Sequence, residues 1–214
     1  MEGLLRPLRQ KVDSEMLAGV TTLGVATLPA ANGDSSREDI VVACQQGDSE
    51  AFAQLFEAHK DRVYSIALRF FGDNATAMDI AQDVFVKLLS RIGEFRGEAR
   101  FETWLYRMAA NACLDHKRRL VRWVPFVSDV VDLMKSKGEG ALDGLLREEF
   151  QGGVQRAIEK LPAEQRIVVV LRYTEGLSYD DIAEILRISN GTVASRLNRA
   201  HKTLERRLAH MRKG

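Results

Sequence analysis

The chain has 214 residues, 45% hydrophobic, 7% aromatic and 29% charged, with 4 prolines; this balance excludes wholesale disorder, and its Ala, Leu, Arg and Glu favour helix over strand. Its 31 basic and 30 acidic residues leave a net charge of +1, so total charge does not point to a polyanionic partner and the placement of charge carries the information.

Residues 1 to 35 read as a poorly ordered extension. Met16 to Ala31 is weakly apolar and follows Arg6, Arg9 and Lys11, superficially like a signal peptide, but Asp13 and Glu15 interrupt the approach. The stretch is also too short to span a bilayer, so no membrane insertion is expected.

From Ser36 apolar residues recur at helical spacing. Ile40, Val41 and Cys44 form one short segment, broken at Gly47-Asp48; Phe52, Leu55, Phe56, Val63, Ile66, Ala67 and Phe70 continue the pattern to a turn at Gly72-Asp73-Asn74. The pattern predicts a third helix from about Ala75 to Ile92 and a fourth from about Phe101 to Leu120, separated by the charged loop Gly93 to Arg100. These four segments make a first domain over residues 36 to 120.

In the third helix Ile80, Val84 and Leu88 mark the buried face, and Asp79, Gln82 and Asp83 share the opposite one. Those three fit either a solvated surface or a docking surface for a basic or mixed partner helix. The fourth helix buries Leu105, Met108 and Ala112 and offers Trp104, Tyr106, Asn111 and the basic end Lys117, Arg118 and Arg119. Aromatic rings beside cations and an amide suit unstacked single-stranded bases, which stack on rings and hydrogen-bond to amides. Trp104 equally fits a plain core position.

Residues 121 to 147 lose the periodicity and carry Pro125 and a Lys135-Ser-Lys-Gly-Glu-Gly-Ala run, the composition of a flexible linker. Trp123, Phe126, Val127, Val130 and Val131 make it apolar enough for part of it to dock on a domain or partner.

The remainder, 148 to 214, reads as a second helical domain with helices at about 148–160, 162–175, 178–186 and 190–209. Pro162 suits a first helical turn, Gly176 ends that helix, Ser178 with Asp181 has the form of a capping box, and Ser189 caps the last helix. Two short helices joined by Leu186-Arg187-Ile188-Ser189 have the proportions of a helix-turn-helix, whose second helix enters the DNA major groove. There Val193, Leu197, Ala200 and Leu204 form the core stripe, while Asn190, Thr192, Ser195, Arg196, Arg199, Lys202 and Arg206 lie outward. Short polar groups near the helix start reach base edges, and the cations behind them pair with phosphates or guanine. A solvated basic face shows the same pattern. From Arg187 onward the single acid Glu205 faces Arg187, Arg196, Arg199, Lys202, Arg206, Arg207, Arg212 and Lys213. Asp180, Asp181 and Glu184 of the preceding helix would repel phosphates and are expected to point away from DNA or toward a protein.

Cys44 and Cys113 lack disulfide or zinc-ligand spacing and read as buried small hydrophobes in a reducing cytoplasm. His59, His116, His201 and His210 are scattered, and neither a phosphate-binding glycine loop nor a nucleophile-base pair is present. No metal, cofactor, catalytic residue or small-molecule substrate is expected.

Several motifs together carry a family resemblance: Asp79-Ile-Ala-Gln-Asp-Val-Phe, Phe95-Arg-Gly, Phe101-x-x-Trp-Leu-x-x-x-Ala-x-Asn-x-x-x-Asp, Leu161-Pro, Gly176-Leu-Ser-Tyr and Gly191-Thr-Val-x-Ser-Arg-Leu-x-Arg-Ala. In this order they resemble the extracytoplasmic-function sigma factors of the sigma-70 family, over roughly residues 36 to 120 and 148 to 209. The resemblance implies an all-α chain of two small helical domains, region two and region four, that directs RNA polymerase to promoters. It places Asp79, Gln82 and Asp83 on the surface for core RNA polymerase. It places Trp104, Asn111, Arg118 and Arg119 at the −10 element of promoter DNA, with Asn111 in the part that captures a flipped base. Asn190, Thr192, Ser195, Arg196, Arg199 and Lys202 fall at the −35 element. An anti-sigma factor is an expected partner. Two positions depart from the pattern: Arg187 stands where relatives often carry glycine, and Ala194 replaces a frequent lysine. From the residues alone, a dimeric duplex-binding regulator and a pure protein-interaction module are the competing readings.

Overall fold

The computed structural model describes residues 34–123 and 152–209, and every regular element among them is helical. The expected extension up to residue 33 lies outside the described residues. So do Phe126, Val127, Val130 and Val131 of the expected linker, and Arg212 and Lys213 near the C-terminus.

The first domain begins with α1 (Asp34–Gln45) and α2 (Ser49–Phe71), followed by α3 (Asn74–Arg91), a 3₁₀ turn (Ile92–Glu94) and α4 (Phe101–Trp123). Side chains and glycines at the helix ends fix these boundaries. The Asp48 carboxylate accepts the backbone N–H groups of Glu50 and Ala51 at the start of α2, orphan donors that no helical carbonyl can reach. At its other end Gly72 takes the left-handed conformation, φ 73°, and donates its N–H to the Leu68 carbonyl. A side-chain-bearing residue would strain there. Asp73 then accepts from the Thr76 N–H and starts α3, so one helix stops and the next begins within two residues.

Val63, Ile66, Ala67 and Phe70 of α2 pack with Ile80, Val84 and Leu88 of α3 and Leu105, Ala109 and Cys113 of α4 in the core. Met108, expected there, is half-buried, and Phe56 stands at the domain edge, meeting the Phe85 ring edge-on at 4.7 Å. The Gln45 amide closes the loop after α3 by donating to the Ile92 and Phe95 carbonyls, at 3.0 and 2.8 Å.

The second domain contains α5 (152–159), α6 (Ala163–Tyr173), α7 (Tyr179–Leu186) and α8 (Asn190–Leu208). Pro162 sits just before α6, and Gly176, φ 66°, follows its end. The expected capping box is present: Ser178 accepts from the Asp181 N–H, and Asp181 accepts from the Ser178 N–H at 2.9 Å. Ser189 accepts from the Thr192 N–H at the head of α8. Val193, Leu197, Ala200 and Leu204 form the buried stripe of α8.

The helix α6 differs from the rest in being buried on all sides over Ile167, Val168, Val169, Val170 and Leu171. A surface helix buries a single stripe. Here α8 covers one side and α2 and α4 of the first domain cover the other, so the two domains share one continuous core.

Candidate nucleic-acid and protein interfaces

On α3 the side chains of Asp79, Gln82 and Asp83 are exposed along one line, back to back with the buried Ile80, Val84 and Leu88. No hydrogen bond links those three polar side chains to another described residue. The same exposed strip carries Met78, Val86 and Leu89, so the acidic patch continues into an apolar one. Sequence reading missed Val86 and Leu89. Their signal was available, since both fall off the stripe of Ile80, Val84 and Leu88.

On α4 Asn111 is exposed and its amide makes no hydrogen bond to a described residue. Trp104 is half-buried among Phe95 and Phe101, with ring centroids at 5.4 and 6.2 Å. The packing leaves part of its ring open. Arg118 and Arg119 are exposed, Arg118 pairing with Asp115 at 2.9 Å. Tyr106 corrects the expectation that it stands beside Asn111 on an open face: it is 1% exposed and its hydroxyl accepts from Arg62 at 3.0 Å. Burial raises the affinity of its phenol for its proton, with Arg62 opposing.

The α7–α8 pair has helix-turn-helix form. Its turn passes through Arg187 at φ 53° and ψ 48°, and among the described residues this is the non-glycine residue with positive φ. A side chain in that region costs roughly 1–2 kcal/mol, which explains why glycine suits the position. Arg199 and Lys202 of α8 are exposed, while Thr192, Ser195 and Arg196 are half-buried. Several of these groups hold one another. Arg199 donates to the Ser195 hydroxyl at 3.3 Å, Ser195 donates to the Thr192 carbonyl at 3.0 Å, and the Thr192 and Ser189 hydroxyls share a hydrogen bond of 2.9 Å.

The Asn190 amide donates to the Asp180 carboxylate. That corrects the expectation that the acids of α7 all turn away from the reading face, because Asp180 sits against the first residue of α8. Asp181 is engaged in its capping box.

Both cysteines are free and buried, and burial pushes the Cys113 thiol up to about 12. Among the described residues no three His, Cys, Asp or Glu side chains gather as metal ligands, and no helix is long and apolar enough to cross a membrane.

This combination, an acidic strip on one helix, an exposed amide on its neighbour and a basic helix-turn-helix in a second domain, agrees with sequence comparison. The model of sigma-70 region 2 matches residues 55–123 and that of sigma-70 region 4 matches residues 152–204. The chain belongs to the sigma-70 family of RNA polymerase sigma factors.

Its relatives place it among the extracytoplasmic-function members. It is 36% identical over 180 residues to the RNA polymerase sigma-H factor of Pseudomonas aeruginosa, covering 80% of this chain and 93% of that protein. Against the sigma factor SigW of Bacillus subtilis the identity is 34% over 172 residues, covering 77% and 92%. The sigma-E factor of Escherichia coli is 32% identical over 177 residues, covering 79% and 92%. Among solved structures, CnrH in complex with the cytosolic domain of CnrY superposes with a TM-score of 0.59 at 24% identity, covering 80% of this chain and 96% of that one. The sigma factor RpoE of Bartonella quintana, in complex with the anti-sigma factor NepR, gives 0.57 at 25% identity, covering 74% and 96%.

Proposed function

We propose that this sigma factor binds core RNA polymerase through Asp79, Gln82 and Asp83. In the same reading it opens and reads the −10 element with Trp104, Asn111, Arg118 and Arg119, and reads the −35 element with Asn190, Thr192, Ser195, Arg196, Arg199 and Lys202. The observation that carries this is the exposure of Asn111, unpaired to any described residue, on the helix beside the open acidic strip of α3. An amide left without partners in a folded domain is free to hydrogen-bond an extruded base. Unpairing and flipping a base costs a few kcal/mol, and a pocket that fits one base recovers that on the right sequence, so recognition and melting become one event.

The domains divide the labour at about residues 36–120 and 148–214. Each contributes modest affinity, and their linkage turns the second contact into an intramolecular one. The mechanism uses binding throughout and needs no catalytic residue, metal or cofactor. The chain acts in the cytoplasm, where core polymerase and promoter DNA are its partners and an anti-sigma factor restrains it. The complex of RpoE with the anti-sigma factor NepR supports that last assignment.

Promoter-directed transcription with sigma-free core polymerase and a pool of templates tests the proposal. Specific initiation is expected, lost with Asn111→Ala or with charge reversal at Asp83, while Asn111→Ala keeps folding stability within about 0.5 kcal/mol. Duplex binding by the chain alone without initiation would overturn it.

A further inference from the structure

We infer that Asn198 reads an adenine in the promoter, a role that rests on the −35 reading proposed above and adds to it a residue and a base. On α8 the buried stripe of Val193, Leu197, Ala200 and Leu204 fixes which way the other side chains point, because each residue turns the helix by about 100°. By that rotation Gly191, Ala194, Asn198 and Lys202 form one outward row, and all four are exposed. Thr192, Ser195 and Arg199 form the row beside it. That second row is tied together by the hydrogen bonds that run from Ser189 to Arg199. Asn198 stands outside the network: its amide makes no hydrogen bond to a described residue.

The two asparagines of α8 therefore offer different chemistry. The Asn190 nitrogen is committed to the Asp180 carboxylate, a group that only accepts. The Asn198 amide keeps an acceptor and a donor side by side. That pair matches the adenine edge in the major groove, where N6 donates and N7 accepts. Guanine presents two acceptors there, thymine an acceptor and a methyl group, and cytosine a donor alone, so each of them leaves one half of the amide unpaired.

The residues ahead of Asn198 make room for the approach. Gly191 and Ala194 put a hydrogen atom and a methyl group on the outward side of the first two turns, so a base pair can come up to the helix backbone. Packing does not call for the glycine: its backbone is not left-handed, and a Cβ there would meet only the Ser189 hydroxyl, at 3.9 Å. Glycine weakens a helix relative to alanine, and open access to the groove accounts for its presence. Asn198 follows Ala194 by about 6 Å along the axis, which carries its short amide to base edges. Lys202, one turn further on, is left for a phosphate.

The test loads core RNA polymerase with the full chain, binds it to a pool of promoters randomised over the upstream element, and reads the retained sequences. Adenine is expected at one position with an enrichment of roughly 5- to 150-fold over the other bases. Asn198→Ala should level that position and leave the others as they are. Asn198→Asp, which can only accept, should transfer the preference there to cytosine, whose N4 group donates. Replacing that adenine by 7-deazaadenine, which lacks the N7 acceptor, should weaken the parent by roughly 2- to 10-fold and Asn198→Ala not at all. An adenine preference that survives in Asn198→Ala overturns the assignment, as does an equal penalty from 7-deazaadenine in both proteins. Preferences lost at every position together in Asn198→Ala overturn it too, since the side chain would then hold the helix rather than read a base. A parent with no upstream preference at all defeats the −35 reading and this inference with it, whereas a preference untouched by either variant defeats the inference alone.

Discussion

The outward polar groups of the two domains are held in opposite ways. On α3 and α4 the side chains of Asp79, Gln82, Asp83 and Asn111 stand exposed without a hydrogen bond to any described residue, whereas on α8 Asn190, Thr192, Ser195 and Arg199 are tied to one another or to Asp180. The difference follows from how each domain is stabilised. The first rests on α2, α3 and α4, helices of 18 to 23 residues around a deep core, and its capping carboxylates, Asp48 and Asp73, are separate from those exposed groups. In the second, the cap of α8 is itself part of the outward network, because Ser189 accepts from the Thr192 N–H and shares a hydrogen bond with the Thr192 hydroxyl. A binding surface of loose groups gains contacts at the cost of side-chain entropy. A paired surface is already ordered and must exchange partners instead.

The largest effect expected concerns the shared core. Leu197→Ala should destabilise by about 2–5 kcal/mol, measured by urea unfolding, and because α6 is covered by both α8 and the first domain, both domains should lose structure together. Two separated transitions would break the coupling.

Next comes Glu175, whose carboxyl is pushed up to about 7 by burial while Arg62 pulls it down. Arg62 and Tyr106 face this carboxyl from the first domain, with Glu102 adding a second negative charge to the same cluster. A carboxyl near 4.3 when unfolded and raised when folded favours its protonated form in the folded state. Its stabilising contribution is complete below about pH 4.3 and is lost as pH rises through about 7, a change of up to about 3 kcal/mol. Glu175→Gln should flatten the difference between unfolding curves at pH 5 and pH 8; an unaltered slope would show that the pair is solvated.

Smaller, and confined to the second domain, is Ser189→Ala, expected to cost about 1 kcal/mol through loss of the cap on α8. Thermal unfolding reads it, and an equal loss of −35 affinity beyond that stability change would sharpen the view that cap and reading face are one network. Smallest is Arg187→Gly, which should stabilise by about 0.5–1 kcal/mol as the left-handed residue is relieved. Thermal unfolding reads this change as well, and an unchanged midpoint would show that the turn carries no strain at Arg187.

Local signals in the sequence were readable because they act over three or four residues. Gly72-Asp73, Ser178 with Asp181, and Ser189 each do in the structure what their chemistry predicts, and the α8 stripe of Val193, Leu197, Ala200 and Leu204 follows from one period. The misreadings are non-local. Tyr106 adjoins the core position Leu105, and whether a neighbouring helical residue is open depends on how wide a face is covered, here extended by the second domain. Asn190 meets an acid ten residues away on another helix. One non-local feature did leave a mark: the unbroken run from Ile167 to Leu171 is too apolar for a helix with one buried side.

The contact between Asp180 and Asn190 also bears on discrimination between promoters and bulk DNA. It fixes a carboxylate beside the leading end of α8, where, in the reading proposed above, the phosphates of a duplex would approach. Such a charge opposes every sequence alike and so weakens the salt-dependent background attraction that supplies non-specific binding. Contacts to base edges are unaffected by that penalty. Because a promoter complex meets the same carboxylate, the charge lowers specific and non-specific affinity together, and the ratio between them is left to the base-edge contacts.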